Sequence, residues 1–196
     1  MRNIHLILVL AASLLPFATA RAAPADLPET GQTECSDAAG AGIACATTGQ
    51  DGDLKAGVAW PNPRFVVNDC GTPAVTGDDV VTDNLTGLMW RGAPESIPVN
   101  WIKALEDTDV LTHCGFSDWR LPNINELGSL MNSEAANQAI FLNTQGFNSV
   151  QAESHWSSSS FAGNADRAWV VSMENGNVST GAKSGGRFVW PVRAGQ

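Results

Sequence analysis

The sequence predicts an α+β fold, with two helices packed on an antiparallel sheet or meander and stapled by disulfides. Three observations predict it. Strand-like runs flank a turn at Val80–Trp90. Two stretches with helical apolar spacing follow, before and after Asp118. The last third alternates in short runs separated by Asn-Gly and Gly-Gly turns. Strands, then helices, then strands segregate the two element types, which is the α+β pattern.

The chain opens with an export signal over residues 1–22. Arg2 supplies the positive end, and Ile4 to Phe17 is apolar except for His5 and Ser13. Ala18-Thr19-Ala20 and Ala20-Arg21-Ala22 both fit the small-x-small rule of a signal peptidase. The run falls short of the ~20 apolar residues a membrane span needs, so no membrane insertion is expected after cleavage. The chain carries a formal charge of -9. An acidic surface repels phosphate backbones, which argues against nucleic acid as a partner.

Residues 23–57 are rich in Gly, Ala, Thr and Asp and lack periodicity. They read as an extended arm laid on a domain formed by residues 58–196. Asp51-Gly52-Asp53 is a fragment of a calcium loop, but the further oxygen ligands and terminal Glu do not follow. Asp51 and Asp53 are therefore weak calcium candidates, and a turn is the simpler reading. No cofactor is otherwise implied. The four cysteines, an even number in an exported chain, predict disulfides over a metal site, since no CxxC spacing exists. Of three pairings the favoured one is Cys35–Cys45 with Cys70–Cys114. On the loop-entropy model these closures contribute about 3 and about 4 kcal/mol.

Arg64 to Val67 reads as a strand. Val80–Thr82 and Leu88–Trp90 read as a hairpin about Asp83-Asn84-Leu85-Thr86-Gly87. The first helix runs from Pro98 to about Thr112, with Trp101, Ile102 and Leu105 at helical spacing. The second runs from Pro122 to about Met131. Asn123 caps it, Glu126 completes a capping-box pattern, and Ile124, Leu127, Leu130 and Met131 form its apolar stripe. Ser154–Ser159 and Arg167–Met173 read as strands. Glu174-Asn175-Gly176-Asn177 predicts a type I′ hairpin turn. Val178–Thr180 returns, and Arg187–Arg193 forms a closing strand with Phe188, Trp190 and Val192 on one face. Pro191 marks an edge or bulge there.

There are seven tryptophans and no tyrosine. Burying each large apolar side chain stabilises by about 1.5–3 kcal/mol, so most are expected in the core. Trp90, Trp119, Trp156 and Trp169 are the first expected there. Asp118 and Arg120 are next-but-one neighbours flanking Trp119, and each is expected to order a different loop. Glu126 has a capping role to fill. Ser157–Ser160 lack the Gly-x-Ser-x-Gly elbow of a serine hydrolase, and His113 and His155 are the histidines beyond the signal. No catalytic residue is assigned.

Asp83–Trp90, then Gly115-Phe116-Ser117-Asp118-Trp119-Arg120-Leu121-Pro122 with Asn125-Glu126-Leu127, then His155-Trp156-Ser157, Ala168-Trp169 and Val189–Arg193 together resemble the Legionella collagen-like (Lcl) C-terminal domain family. The resemblance covers about residues 64–193. It implies a C-type-lectin-like fold in a secreted or periplasmic module, engaged in adhesion to an extracellular carbohydrate or protein. Two features depart from the family. Trp190-Pro191 stands where many members have Arg-Cys, and the founding adhesin's Gly-X-Y stalk is missing. The ligand residues are not assigned, but loops 92–100, 143–153 and 161–166 are the expected face, since binding commonly sits on loops carried by a scaffold. Two other readings remain. One is an envelope enzyme acting on glycans through two of Asp118, Glu126 and Glu153. The other is a calcium-dependent structural or assembly protein.

Overall fold

The computed structural model describes residues 27–71 and 79–195. The export signal predicted over residues 1–22 lies outside them. The described chain is α+β, with antiparallel sheets, few helices and two disulfides, Cys35–Cys45 and Cys70–Cys114.

The arm is not wholly irregular. Strands β1 (Cys35–Ser36) and β2 (Gly42–Ile43) form a small hairpin, and α1 (Asp51–Leu54) follows. The arm docks on the domain through backbone groups. Glu134 accepts from the amides of Thr33 at 2.6 Å and Glu34 at 3.1 Å. Gly31, at φ 81°, lies so close to Trp60 and Asn132 that a Cβ would meet both at 2.7 Å. Only a glycine fits that backbone and that contact.

The first sheet orders β3 (Phe65–Asn68), β4 (Val80–Asp83), β5 (Leu88–Arg91) and β9 (Val192–Ala194), all antiparallel. The β4–β5 hairpin turns over the Asp83–Gly87 block, with Gly87 at φ 71°. The second sheet orders β6 (Ser154–Ser160), β7 (Arg167–Ser172) and β8 (Val178–Ala182). Two sheets thus replace the single predicted one. At the β7–β8 turn the positive φ falls on Gly176 alone, so the turn is not the predicted type I′.

Four helical segments replace the predicted two. α2 (Trp101–Asp109) begins at Asn100, whose side chain accepts from the Lys103 amide. α3 (Ile124–Ser129) carries the capping box formed by Asn123 and Glu126. α4 (Gln138–Thr144) was not predicted. Its Asn137 cap lacks a Glu or Gln three residues on, and its buried face is only Gln138, Ala139 and Leu142, too short a stripe to stand out in sequence.

Three clusters form the core. The largest gathers Trp90, Trp190, Phe147, Leu127, Leu130 and Val171. A second holds Trp156, Val170, Ala104 and Val189. The third packs Trp119 against Val80 and Met89. Strand β7 divides the first two: Val170 faces one and Val171 the other. A strand covered on both sides loses the alternation that marks a half-exposed one, which explains its imperfect pattern in the sequence.

The predicted closing strand is shortened. Its first half leaves the first sheet to reach the second, with Phe188 bridged to His155 and Arg187 to Val99. It joins β5 only at Val192.

A buried ion pair anchors the β3–β4 edge. Arg64 donates to both oxygens of Asp83 at 3.0 Å and to the Ser129 carbonyl at 2.6 Å. Asp83 also accepts from the Leu85 amide and the Thr86 hydroxyl. The Arg64 guanidinium lies 4.2 Å over the Trp60 ring. Truncating one member of such a pair leaves the other buried and uncompensated. Asp83→Ala is expected to cost about 3–5 kcal/mol in urea unfolding. Glu95→Ala, which breaks the more exposed Arg91–Glu95 pair, is expected to cost about 1 kcal/mol or less. Equal losses from the two would show that burial does not set the difference.

Candidate functional site

Asp118 and Arg120 flank Trp119 and go to separate partners. Asp118 accepts two hydrogen bonds from Arg193, at 2.7 and 3.1 Å. Arg193 is buried, its guanidinium 3.9 Å over the Phe116 ring and one nitrogen 3.5 Å from the Met89 sulfur. Arg120 grips Glu126 in a two-pronged pair at 2.7 and 2.6 Å. Glu126 also accepts from the Asn123 amide at 2.8 Å.

These partners set the protonation states. The Arg193 hydrogen bonds hold the Asp118 carboxyl below its ordinary range. Burial pushes Glu126 up, but the Arg120 hydrogen bonds and the Asn123 amide together outweigh it, and its pKa is lowered. An acid held ionised is a poor proton donor near neutrality.

The serines hold backbone and neighbours in place. Ser157 donates to the Trp169 carbonyl at 2.8 Å, and Ser158 to the Pro122 carbonyl at 3.3 Å. Ser159 accepts from the Ile124 amide and Ser160 from Lys183. Among the described residues no serine bonds a histidine. His155 is fully buried, against Phe188 and Trp190 at ring distances of 5.6 and 5.7 Å. Its Nδ1 meets the Glu153 carbonyl at 3.1 Å.

Trp90, Trp119 and Trp156 are buried, and so is Trp190. Trp169 is only half-buried, contrary to expectation. It lies on the face of β7 beyond the core's edge and meets Phe161 edge-on at 5.3 Å. Asp51 and Asp53 sit in the single turn of α1. Asp51 accepts from the Thr30 hydroxyl and Asp53 from the Gly49 amide. No group of three or more His, Cys, Asp or Glu that could hold a metal occurs among the described residues.

Two of the three expected loops come together. The Asn148 amide donates to the Gly92 carbonyl at 2.8 Å. An open cavity of about 540 Å³ takes Pro98 from one of these loops and Glu153 from the other, with Ser154, Gly186, Arg187 and Phe188. Loop 161–166 lies at the other end of β6, about 20 Å away at strand rise. It touches the segment after β8, which also carries Gly186 to Phe188, through Lys183, whose amide donates to the Asp166 carbonyl. Loop 143–153 is shorter than expected, because α4 takes its first residues. Of the three candidate acids, Glu153 lines this cavity. Asp118 and Glu126 are tied elsewhere to Arg193 and Arg120. A second hollow, about 410 Å³, lies between α2 and the Arg120–Leu121 segment.

Arg187 and Phe188, which line the cavity, read as strand in the sequence. The Gly185-Gly186 pair directly before them marks a turn.

Burial lowers the His155 pKa from 6.5 to about 4, against the opposing pull of the Glu153 carbonyl. The unfolded chain therefore takes up this proton first. Stability is full above about pH 6.5 and falls as pH drops towards about 4. The loss over that window is on the order of 3 kcal/mol. Urea midpoints measured across it should fall for the native chain and flatten for His155→Phe. Parallel curves for the two would assign the acid sensitivity to other groups.

The Lcl C-terminal domain family matches residues 79–193, from the start of β4 into β9. No curated protein matches the chain. The match spans more than half of the sequence, and the chain belongs to the Lcl C-terminal domain family.

Proposed function

We propose that the protein is a secreted, non-catalytic module of C-type-lectin-like architecture that binds an extracellular carbohydrate or protein. Its ligand meets the cavity between Pro98, Glu153 and Phe188. Membership of the Lcl C-terminal domain family supports an extracellular or surface role. Two disulfides fit an oxidising compartment. No helix among the described residues is long and apolar enough to cross a membrane.

One observation carries the binding reading. The charged residues of the motif blocks are engaged as struts, Asp118 with Arg193 and Arg120 with Glu126, while the loop cavity carries charged groups free of such pairs. Glycoside hydrolysis would call for two carboxylates about 5–9.5 Å apart, and Glu153 is the one carboxylate lining this cavity. A rigid backbone with adaptable side chains at its mouth suits recognition more than turnover.

The test is binding of the oxidised protein to an array of glycans and extracellular proteins, with and without calcium. The expected outcome is a specific, saturable signal that Phe188→Ala weakens about tenfold or more, the scale of one lost aromatic contact of about 1.5 kcal/mol. Calcium dependence would bring Asp51 and Asp53 back as ligands. Release of new reducing ends from a bound glycan, or no binding in any condition, would overturn the reading.

A further inference from the structure

The cavity's two charged groups have opposite sign and do not neutralise each other. Among the described residues, Arg64, Arg91, Lys103, Arg120 and Arg193 all enter ion pairs with Asp83, Glu95, Asp107, Glu126 and Asp118. Neither Glu153 nor Arg187 does, although both line one cavity.

Their backbones, by contrast, are fixed. The Arg187 amide donates to the Val99 carbonyl at 3.0 Å, and the Val99 amide returns the bond at 3.0 Å. The Glu153 carbonyl accepts from the Met173 amide at 2.9 Å and meets Nδ1 of His155. One nitrogen of the Arg187 guanidinium bonds its neighbour's carbonyl, Gly186, which steadies the head and neutralises nothing. Phe188 lines the same cavity, its ring packed on His155 at 5.6 Å. The wall thus offers a cation, an anion and an apolar surface, all carried on fixed backbone. Such preorganisation reduces the cost of ordering on binding.

We infer that this cavity selects a zwitterionic peptide ligand, taking its carboxylate on Arg187, its ammonium on Glu153 and its apolar body on Phe188 and Pro98. The inference rests on the binding reading and names the ligand class of that same site. Guanidinium and carboxylate match as a two-pronged pair. A neutral sugar would leave both charges desolvated and unmatched. A purely anionic ligand would satisfy Arg187, meet Glu153 as a like charge, and approach a chain of net charge -9. A ligand with both charges avoids each penalty.

The experiment is calorimetric titration of the oxidised protein with the dipeptide Ala-Phe in four forms: both termini free, N-acetylated, C-amidated, and blocked at both ends. The free form is expected to bind, and each block to weaken it about tenfold or more, the scale of one charge-assisted hydrogen bond. The variants must pair with the blocks. Glu153→Gln should weaken the free form and leave the N-acetylated form unchanged. Arg187→Gln should do the same against the C-amidated form. Both residues are partly exposed or exposed, and an unchanged urea midpoint checks that each variant folds. Equal binding of all four forms, or variants that weaken every form alike, would overturn the charge assignment. No dipeptide binding beside a positive glycan signal would overturn the peptide class and leave the binding reading standing. No binding to dipeptides, glycans or proteins would remove both.

Discussion

The closing segment Phe188–Arg193 joins what would otherwise be two separate sheets. Phe188 exchanges backbone hydrogen bonds with β6, through the Ser154 carbonyl and the Trp156 amide. Two residues on, the Trp190 indole donates to the Arg91 carbonyl of β5 at 2.9 Å. The Arg91 amide donates to the Pro191 carbonyl, and Val192 exchanges two bonds with Arg120. Proline lacks an amide, so Pro191 fits where one ladder ends and the next begins. Trp190 then fills the space between the sheets, packing edge-on against Trp90 and Phe147. Arg193 completes the seam by holding Asp118. The chain's last strand is therefore also its clasp, and both the core and the cavity wall depend on it.

That role explains how much of the fold was legible. The β4–β5 hairpin was readable because one local turn block and two short apolar runs define it. Helix α3 was readable because Asn123, Glu126 and the Leu127–Leu130 stripe agree on one answer. The closing segment was not. Its Phe188, Trp190 and Val192 alternate as a strand would, yet they serve partners in different sheets. Periodicity records which side of the chain is apolar, not which neighbour covers it. Trp169 was misjudged for a related reason. It is a large apolar residue on a central strand, but on the face it shares with Val171 it lies beyond the first cluster, where it meets Phe161 edge-on.

The candidate site was legible only in outline. The cavity draws Pro98 and Glu153 from two of the expected loops, and loop 161–166 lies at the other end of β6. Arg187 read as strand, whereas the structure pairs it with Val99, just before α2, through two backbone hydrogen bonds. Strand alternation would put Asp118 and Arg120, two residues apart, on one face, so their separate partners do not follow from it. Glu126 lies only six residues from Arg120, whereas Arg193 lies 75 residues beyond Asp118 and nothing local points to it.

The cavity and the clasp share an element. Phe188 is both a lining residue of the cavity and the residue that pairs with β6. His155 sits beneath it, neutral and without a partner at Nε2. A proton on that buried ring would add a charge where Phe188, Trp190 and Val171 offer no counter-charge. The charged groups on neighbouring segments are Glu153, Arg187 and Glu95. Glu153 points its carbonyl, not its carboxylate, at the ring, and Glu95 is engaged by Arg91. Acidification therefore strains the same junction that shapes the cavity. Any ligand seated against Phe188 in the closed seam would, by linkage, oppose that protonation. The interaction that holds the two sheets together is in this way also the one that shapes the cavity wall.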